Sequence, residues 1–347
     1  MSKYQKPPEF YDGLRLHQNE NTGGCSPRVI EALASLRPTD LAFYPPYEAT
    51  TKVCADYYGV DPDRLSLVNG LDEGIMALAI GYLRPTPSLP PPEAIVPEPA
   101  FEIFAFDTEI AGGRVVRVKP RPDFSFPLDD VVAAITPNTR LVFLTNPNNP
   151  TGATLTKDDI RTVARRVPKG AAVFVDEAYA EFSGETFIPE LDSFPNVIVG
   201  RTFSKAFGLA GIRIGAVTGS PEILEPLRFA LPVYSVNIAA VVAVKAAIED
   251  RAHVASYLAE VEQSKALLYG ACDLMGVRYW RSAANFVLVR VGERVAQLVD
   301  AAAKRGIYVR DRSTEPGCEG CVRITTGVIE HTQRVIAVME EVLCAAP

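Results

Sequence analysis

A lysine that lies eight residues before an arginine is the feature of this chain best suited to covalent chemistry. Lys205 follows the hydroxyls of Thr202 and Ser204, and small residues separate it from Arg213. A lysine amine can form a Schiff base with a carbonyl, and hydroxyls with a guanidinium suit a phosphate. The segment therefore indicates a site for a carbonyl cofactor that bears a phosphate.

Two further polar motifs directly follow short apolar runs. Residues 146–152 (Asn-Pro-Asn-Asn-Pro-Thr-Gly) follow the run 141–144, and residues 176–179 (Asp-Glu-Ala-Tyr) follow the run 172–175. Such runs are typical of buried parallel strands, and ligands of open α/β sheets bind at the carboxyl ends of these strands. The Lys205 segment follows a third run of this kind. We therefore expect the polar residues of all three motifs to lie close together.

A glycine turn at residues 69–74 (Asn-Gly-Leu-Asp-Glu-Gly) separates a strand-like run from apolar residues spaced as in a helix. The first turn of a helix presents free backbone N–H groups and the positive end of the helix dipole, where a phosphate can bind. An ordinary turn with an aspartate cap is the alternative. Together with the other motifs, the turn predicts a phosphate site at the backbone of Gly70, Leu71 and Asp72.

In this order, the motifs resemble those of the fold-type I pyridoxal-phosphate aminotransferases over essentially the whole chain. The resemblance implies an α/β fold, with a mixed, mostly parallel sheet sandwiched by helices in a large domain and a smaller α+β domain. It also implies that Lys205 holds pyridoxal phosphate as a Schiff base and carries the proton that moves during transamination. Asp176 would pair with the ring nitrogen of the cofactor.

The same resemblance gives cofactor-binding roles to more residues. Asn149 and Tyr179 would bind the 3-oxygen of the cofactor, with Tyr179 joining Lys205 and Asp176 as a catalytic group. Phe101 would stack on the cofactor ring. The ligands of the cofactor phosphate would be Thr202, Ser204 and Arg213, with the backbone of the glycine turn.

Three segments resemble histidinol-phosphate aminotransferases in particular. They are residues 15–21 (Arg-Leu-His-Gln-Asn-Glu-Asn), 43–45 (Phe-Tyr-Pro) and 317–327, which contain Cys-Val-Arg-Ile-Thr-Thr-Gly. This likeness implies a homodimer with shared active sites, in which Tyr44 reaches the cofactor phosphate of the neighbouring subunit.

The likeness also implies substrate ligands. Asn21 and Asn149 would contact the substrate, and Arg323 would bind its carboxylate or phosphate end through a planar guanidinium. If the phosphate is held elsewhere, Arg310 and Arg312 are the next candidates.

The chain departs from the family pattern after Asn21. It reads Thr-Gly-Gly-Cys where Pro-Tyr-Gly-Pro is usual, so a substrate-recognising tyrosine is missing, and Leu71 replaces a usual serine. An aromatic or other amino-acid aminotransferase and a threonine-phosphate decarboxylase of the same fold therefore remain open. A non-catalytic cofactor-binding module is the alternative of another class, and the presence of Lys205, Asp176 and Arg323 together argues against it.

Composition indicates a globular protein without a nucleic-acid partner. Of 347 residues, 48% are hydrophobic and 22% charged, and the net charge is −7. The chain has no apolar run of membrane-spanning length and no apolar signal region at residues 1–8, so we expect a cytoplasmic location and no membrane partner. Cys318 and Cys321 have no second pair of zinc ligands, and with three histidines in the chain we expect no metal site.

The order of predicted elements suggests two domains, a large one at residues 38–245 and a small one at 1–37 and 246–347. A proline-rich stretch at 84–99 reads as a surface connection that includes a short strand at 93–96. A helical stretch at 237–275, interrupted near 250–253, should join the domains. The small domain is then predicted to contain strands at 284–289, at 306–310 and around Arg323, with helices at 295–305 and from residue 330.

Overall fold

The computed structural model describes residues 12–87 and 89–344, and within these ranges the chain forms thirteen strands and thirteen α-helices. The expectations for residues 1–11 and 345–347, at the two ends of the predicted small domain, lie outside the described residues. So does residue 88 of the proline-rich stretch. None of the helices in the described ranges is both long enough and apolar enough to cross a membrane.

The strands are short and mostly buried. They are β1 (Leu14–Arg15), β2 (Leu65–Val68), β3 (Glu93–Pro97), β4 (Arg114–Val118), β5 (Thr139–Thr145), β6 (Ala172–Asp176), β7 (Val197–Thr202), β8 (Gly215–Thr218), β9 (Arg278–Tyr279), β10 (Phe286–Arg290), β11 (Ile307–Tyr308), β12 (Arg310–Asp311) and β13 (Cys321–Thr325).

Several of the helices begin at a side-chain cap. Asn237 accepts a hydrogen bond from the Ala240 backbone at the start of one helix, and Asp250 interrupts the helical stretch by capping the next. The helices are α1 (Pro27–Ala34), α2 (Pro38–Ala42), α3 (Glu48–Tyr58), α4 (Leu71–Tyr82), α5 (Ile103–Ile110), α6 (Leu128–Ala133), α7 (Lys157–Arg166), α8 (Ala180–Ser183), α9 (Pro221–Ala230), α10 (Ile238–Glu249), α11 (Arg251–Met275), α12 (Val295–Lys304) and α13 (Ile329–Cys344).

A seven-stranded sheet in the order β2-β8-β7-β6-β5-β3-β4 forms the centre of the fold. Its strands are parallel except β8, which is antiparallel to both neighbours. Both faces are covered by apolar side chains: along β6, Phe174 packs in one cluster, while Val173 and Val175 pack in the other. This is the predicted mixed, mostly parallel sheet, and the predicted fold class is confirmed.

Two smaller sheets lie beside the central one. An antiparallel sheet has the order β12-β13-β10-β9, and β1 pairs in parallel with β11. The predicted strand at 306–310 is divided, because the chain leaves one sheet after Tyr308 and enters the other at Arg310. The amino-terminal strand thus joins the carboxyl-terminal part of the chain, as expected, whereas Val29 of α1 packs with α10. The predicted domain boundaries stay a prediction.

Candidate active site

A cavity of about 440 Å³ opens at the carboxyl ends of β5, β6 and β7. Because the strands are parallel, the motifs that follow them meet at this one edge of the sheet. Most residues predicted to bind cofactor or substrate line it: Leu71, Asp72, Phe101, Asn149, Asp176, Tyr179, Thr202, Ser204, Lys205, Arg213 and Arg323.

Lys205 lies in the loop after β7 and points across the cavity to the amino-terminal segment. Its Nζ donates a hydrogen bond to the backbone oxygen of Gln18 at 3.0 Å and lies 5.9 Å from the centre of the Tyr179 ring. The amine is therefore inside the cavity, held by a carbonyl rather than by a carboxylate.

Asp176 ends β6 and is almost completely buried. Its Oδ1 accepts a hydrogen bond from the Ala178 backbone at 2.9 Å. Burial raises the pKa of Asp176 to about 7, although the hydrogen bond from Ala178 and the charge of Lys205 act in the opposite direction. A carboxylate in this position is stabilised by a cationic partner at short range, such as a protonated ring nitrogen.

The predicted phosphate cradle forms at the start of α4. Gly70 is its N-cap with φ of 77°, and a Cβ there would clash with the Arg213 guanidinium. Arg213 Nη2 lies 3.0 Å from Asp72 Oδ2. On the other side of the cradle, the Thr202 hydroxyl donates to Ser204 Oγ at 3.0 Å. Backbone N–H groups, two hydroxyls and a guanidinium thus surround one space.

Arg323, on β13, is 5% exposed and enters the cavity from the smaller sheet. Its guanidinium donates to the Asn149 side-chain oxygen and, at 2.6 Å, to the backbone oxygen of His17. Burial, together with the charge of the neighbouring Arg312, lowers the pKa of Arg323 to about 9. The bond to Arg323 uses the amide oxygen of Asn149 and leaves its amide nitrogen able to donate to the cofactor 3-oxygen.

Arg310 lies directly opposite Arg323 across the β12–β13 pair, and both side chains line the cavity. Directly opposite residues of antiparallel strands project on the same face, where two like charges repel. In the part of the chain that the structure describes, neither guanidinium forms an ion pair with a carboxylate. Arg312, in contrast, pairs with Glu315.

The amino-terminal segment contributes groups that the sequence did not assign. Asn19 lines the cavity and its side-chain nitrogen donates to the Tyr179 hydroxyl at 2.9 Å, and the backbone oxygens of His17 and Gln18 hold Arg323 and Lys205. Asn19 adopts φ of 56°, a conformation that asparagine tolerates better than most residues. The Arg-Leu-His-Gln-Asn-Glu-Asn match pointed to this segment without resolving which asparagine faces the cavity.

Asn21, predicted to contact the substrate, does not line the cavity. Its side chain donates to the backbone oxygen of Ala206 at 3.0 Å and accepts from the Gly23 backbone. With both ends of its amide engaged, Asn21 supports the chain next to Lys205. A direct contact of Asn21 with the substrate stays a prediction.

Two other predicted features lie apart from the cavity. Tyr44 is 76% exposed and stacks on Tyr234, with 4.3 Å between ring centres. Cys318 and Cys321 are buried free thiols that pack with Phe124 and Leu288, and burial raises the pKa of both thiols. Neither thiol is in an environment that favours reactivity.

The sequence model of the family described as aminotransferase class I and II matches residues 11–338. The chain belongs to this family. Its members depend on pyridoxal phosphate, so the predicted aminotransferase activity and cofactor are confirmed.

Named aminotransferases resemble the chain over nearly its full length. A histidinol-phosphate aminotransferase of Symbiobacterium thermophilum is 36% identical over 345 residues, which cover 98% of this chain and 93% of the relative. One of Moorella thermoacetica is 32% identical and covers 96% and 86%. The solved structure of histidinol-phosphate aminotransferase from Sinorhizobium meliloti in complex with pyridoxal-5′-phosphate has a TM-score of 0.86 at 25% identity, covering 96% of this chain and 91% of that one.

The cavity of this aminotransferase fits the cofactor of its family. Asp176 is a buried carboxylate whose raised pKa calls for a cationic partner, and Gly70 keeps the start of α4 open beside Arg213. Lys205 supplies the amine inside the same cavity. These residues are suited to the ring nitrogen, the phosphate and the carbonyl of pyridoxal phosphate, respectively.

Proposed function

We propose that this aminotransferase moves the amino group of histidinol phosphate to 2-oxoglutarate in a ping-pong reaction. The observation that carries the proposal is the pairing of Arg310 with Arg323 on one face of the small sheet, where neither has a carboxylate partner among residues 12–87 and 89–344. A phosphate dianion that binds both guanidinium groups removes the repulsion between them. The names of the relatives, histidinol-phosphate aminotransferases at 32–36% identity, support the same substrate.

The residues of the chain then have separate roles in the reaction. Arg310 and Arg323 bind the phosphate end of the donor, and Arg323 accepts the carboxylate of glutamate or 2-oxoglutarate in the other half-reaction. Pyridoxal phosphate, when bound, withdraws electrons from the α-carbon of the donor and makes its proton acidic. Lys205 Nζ would take that proton from the α-carbon and deliver it to C4′ of the cofactor. Asp176 keeps the ring nitrogen protonated, while Asn149 and Tyr179 bind the 3-oxygen.

Single-turnover spectra of the bound cofactor test the substrate. Histidinol phosphate and glutamate should each convert the cofactor spectrum. The Lys205→Ala variant should convert it with neither, because Lys205 is the one lysine among the described residues that line the cavity. If phenylalanine converts the cofactor and histidinol phosphate does not, the missing tyrosine after Asn21 is the better guide to the substrate. Release of carbon dioxide from threonine phosphate would instead indicate a decarboxylase.

We also propose a homodimer in which Tyr44 reaches the cofactor phosphate of the partner subunit. The support is the stack of Tyr44 on Tyr234, two exposed aromatic side chains that a partner would cover. Other exposed apolar side chains lie close to them in the chain: Leu41, Phe43, Phe229 and Val233. A cytoplasmic location is proposed with it, because the substrates are small and water-soluble.

Hybrid dimers test the shared site. Inactive Tyr44→Ala and Lys205→Ala subunits, mixed under conditions that exchange subunits, should recover part of the activity, since one site of each hybrid carries both side chains. Recovery should be absent when either variant is incubated alone. Proven subunit exchange without recovered activity would contradict the contribution of Tyr44 in trans.

A further inference from the structure

A buried ion cluster lies behind the active site, on the face of the central sheet that the cavity does not use. Arg201 immediately precedes Thr202, and Glu177 immediately follows Asp176. Side chains alternate between the two faces along a strand, so Asp176 and Thr202 face the cavity while their neighbours face the opposite side. The packing agrees, because Val197 and Val199 lie in the cluster of that opposite face.

The cluster is held by short and nearly solvent-free contacts. Arg201 Nη1 lies 2.9 Å from Glu177 Oε2, Nη2 lies 2.5 Å from Glu181 Oε1, and the guanidinium carbon lies 5.1 Å from the centre of the Tyr58 ring. Glu177 also accepts from the Thr186 hydroxyl and the Phe187 backbone, each at 2.6 Å. Although burial acts to lower the pKa of Arg201, the surrounding carboxylates raise it overall.

We propose that Arg201 and Glu177 are positioning residues for the cofactor. Their ion pair joins the end of β6 to the end of β7, in addition to the backbone bond from Glu177 to Gly200 at 2.9 Å. These two strand ends deliver Asp176, for the ring nitrogen, and Thr202, for the phosphate. The pair thus sets the distance between the two ends of the cofactor site. The inference rests on the proposed roles of Asp176 and Thr202.

The same sheet supplies a matched control. Glu93, the first residue of β3, is as buried as Glu177 (2% and 0% exposed) and also binds one arginine and one threonine hydroxyl, Arg114 and Thr136. It lies at the amino end of a parallel strand, and therefore at the edge of the sheet away from the cavity. Glu177→Gln and Glu93→Gln remove the same buried charge at opposite edges of the sheet, with the difference that the side chain of Arg114 is 61% exposed and that of Arg201 8%.

The experiment measures the dissociation constant of pyridoxal phosphate from the cofactor-free protein by absorbance, alongside the melting temperature of that cofactor-free form. Glu177→Gln should weaken cofactor binding by about 10–100-fold, which is the loss of affinity found at metal sites when a residue that orients a metal ligand is replaced. Glu93→Gln should lower the melting temperature by a similar amount and leave the dissociation constant unchanged. The pH midpoint of the visible band of the bound cofactor should shift only in Glu177→Gln.

Arg201→Lys provides a second variant, because it keeps the charge and loses the fork that reaches two carboxylates. Arg201→Lys should also weaken cofactor binding. If Glu177→Gln fails to fold, Arg201→Lys tests the positioning role of the ion pair by itself. If both variants bind the cofactor like the unmodified protein while Asp176→Asn and Thr202→Val bind it weakly, the positioning role is wrong. If all four bind normally, the roles proposed for Asp176 and Thr202 fail instead.

Discussion

Arg201 and Arg323 are equally buried, at 6% and 5% exposure, yet their surroundings are opposite. Arg201 lies between two carboxylates, and its pKa is raised overall. Among the described residues, Arg323 donates to an amide and a backbone carbonyl and has other arginines beside it, and burial lowers its pKa to about 9. The fold thus surrounds one arginine with carboxylates and gives the other, within the same described residues, no carboxylate in salt-bridge contact.

This difference separates a structural charge from a functional one. A buried cation without an anion costs free energy in the ligand-free protein, and that cost is repaid when an anionic substrate binds. Asp176 is the corresponding acidic group, a buried carboxyl whose pKa is raised by burial and only partly lowered by the charge of Lys205. Perturbed groups of both signs thus meet in the cavity, as is typical of active sites.

Removing Arg201 should destabilise the protein, whereas removing Arg323 should not. Arg201→Met should lower the free energy of unfolding by about 3–5 kcal/mol, because two carboxylates lose their buried partner. Arg323→Met should leave the free energy of unfolding of the cofactor-free protein unchanged or higher, while abolishing substrate binding. Urea unfolding of both variants measures this, and equal destabilisation would remove the distinction between the two arginines.

Asp176→Asn should stabilise the cofactor-free protein at pH 8. The pKa of Asp176 is about 7 in the folded state and near 3.8 when unfolded, so the folded state retains a proton that the unfolded state loses, and the free energy of unfolding falls as the pH rises through this window. Asp176→Asn has no carboxyl group at this position and does not lose stability in this way. Its free energy of unfolding at pH 8 should exceed that of the unmodified protein by up to about 4 kcal/mol, since one pKa unit corresponds to about 1.4 kcal/mol.

The gain from Asp176→Asn should nearly disappear at pH 4, where the carboxyl group of the unmodified protein is protonated in the folded state and about half protonated in the unfolded state. Urea unfolding curves at pH 4, 6 and 8 measure the difference in the free energy of unfolding between the variant and the unmodified protein. The same variant should bind pyridoxal phosphate more weakly and lose orders of magnitude in kcat, because an amide cannot stabilise the protonated ring nitrogen. A gain in stability that does not depend on pH would show that Asp176 carries no uncompensated charge.

Arg323→Lys should weaken both half-reactions by about 1–3 kcal/mol each, as expected when a charge-assisted bond is lost. Single-turnover conversion with glutamate and with histidinol phosphate measures the two separately. If only the glutamate reaction is affected, Arg323 binds the carboxylate alone and the phosphate depends on Arg310 or Arg312.

Arg310→Gln should have the smallest effect. Arg310 is only partly buried, so its loss should weaken conversion by histidinol phosphate by about 1 kcal/mol, the scale of an exposed charge pair. Conversion by glutamate, whose carboxylate Arg323 holds in the other half-reaction, is the control and should not change. An equal loss with both donors would indicate that Arg310 acts on the cavity as a whole.

The sequence was sufficient to predict the part of the site that depends on strand ends. Lys205, Asp176 and Asn149 follow apolar runs that could be recognised individually, and parallel strands bring their carboxyl ends together whatever the details of the loops. The central sheet and the phosphate turn at Gly70 followed for the same reason.

What the sequence could not predict depends on register and on contacts between distant segments. The opposition of Arg310 to Arg323 requires the pairing of β12 with β13, and the division of the predicted strand at 306–310 shows that apolar pattern alone does not fix such pairings. To predict the contact of Arg201 with Glu177, one must know which strands are neighbours and on which face of the sheet each side chain lies. Asn19 could not be separated from Asn21 because local backbone conformation decides which amide reaches the cavity.

The bond between Arg323 and His17 joins residues that are 306 positions apart in the chain. During synthesis, Asp176 and Lys205 leave the ribosome long before Arg323 does. At about 5–20 residues per second, the first 323 residues take on the order of 15–65 s to be made. A nascent chain therefore has the groups for the cofactor well before it can hold the anion of a substrate. The His17 carbonyl gains its partner only when β13, the last strand in the described part of the chain, has been made.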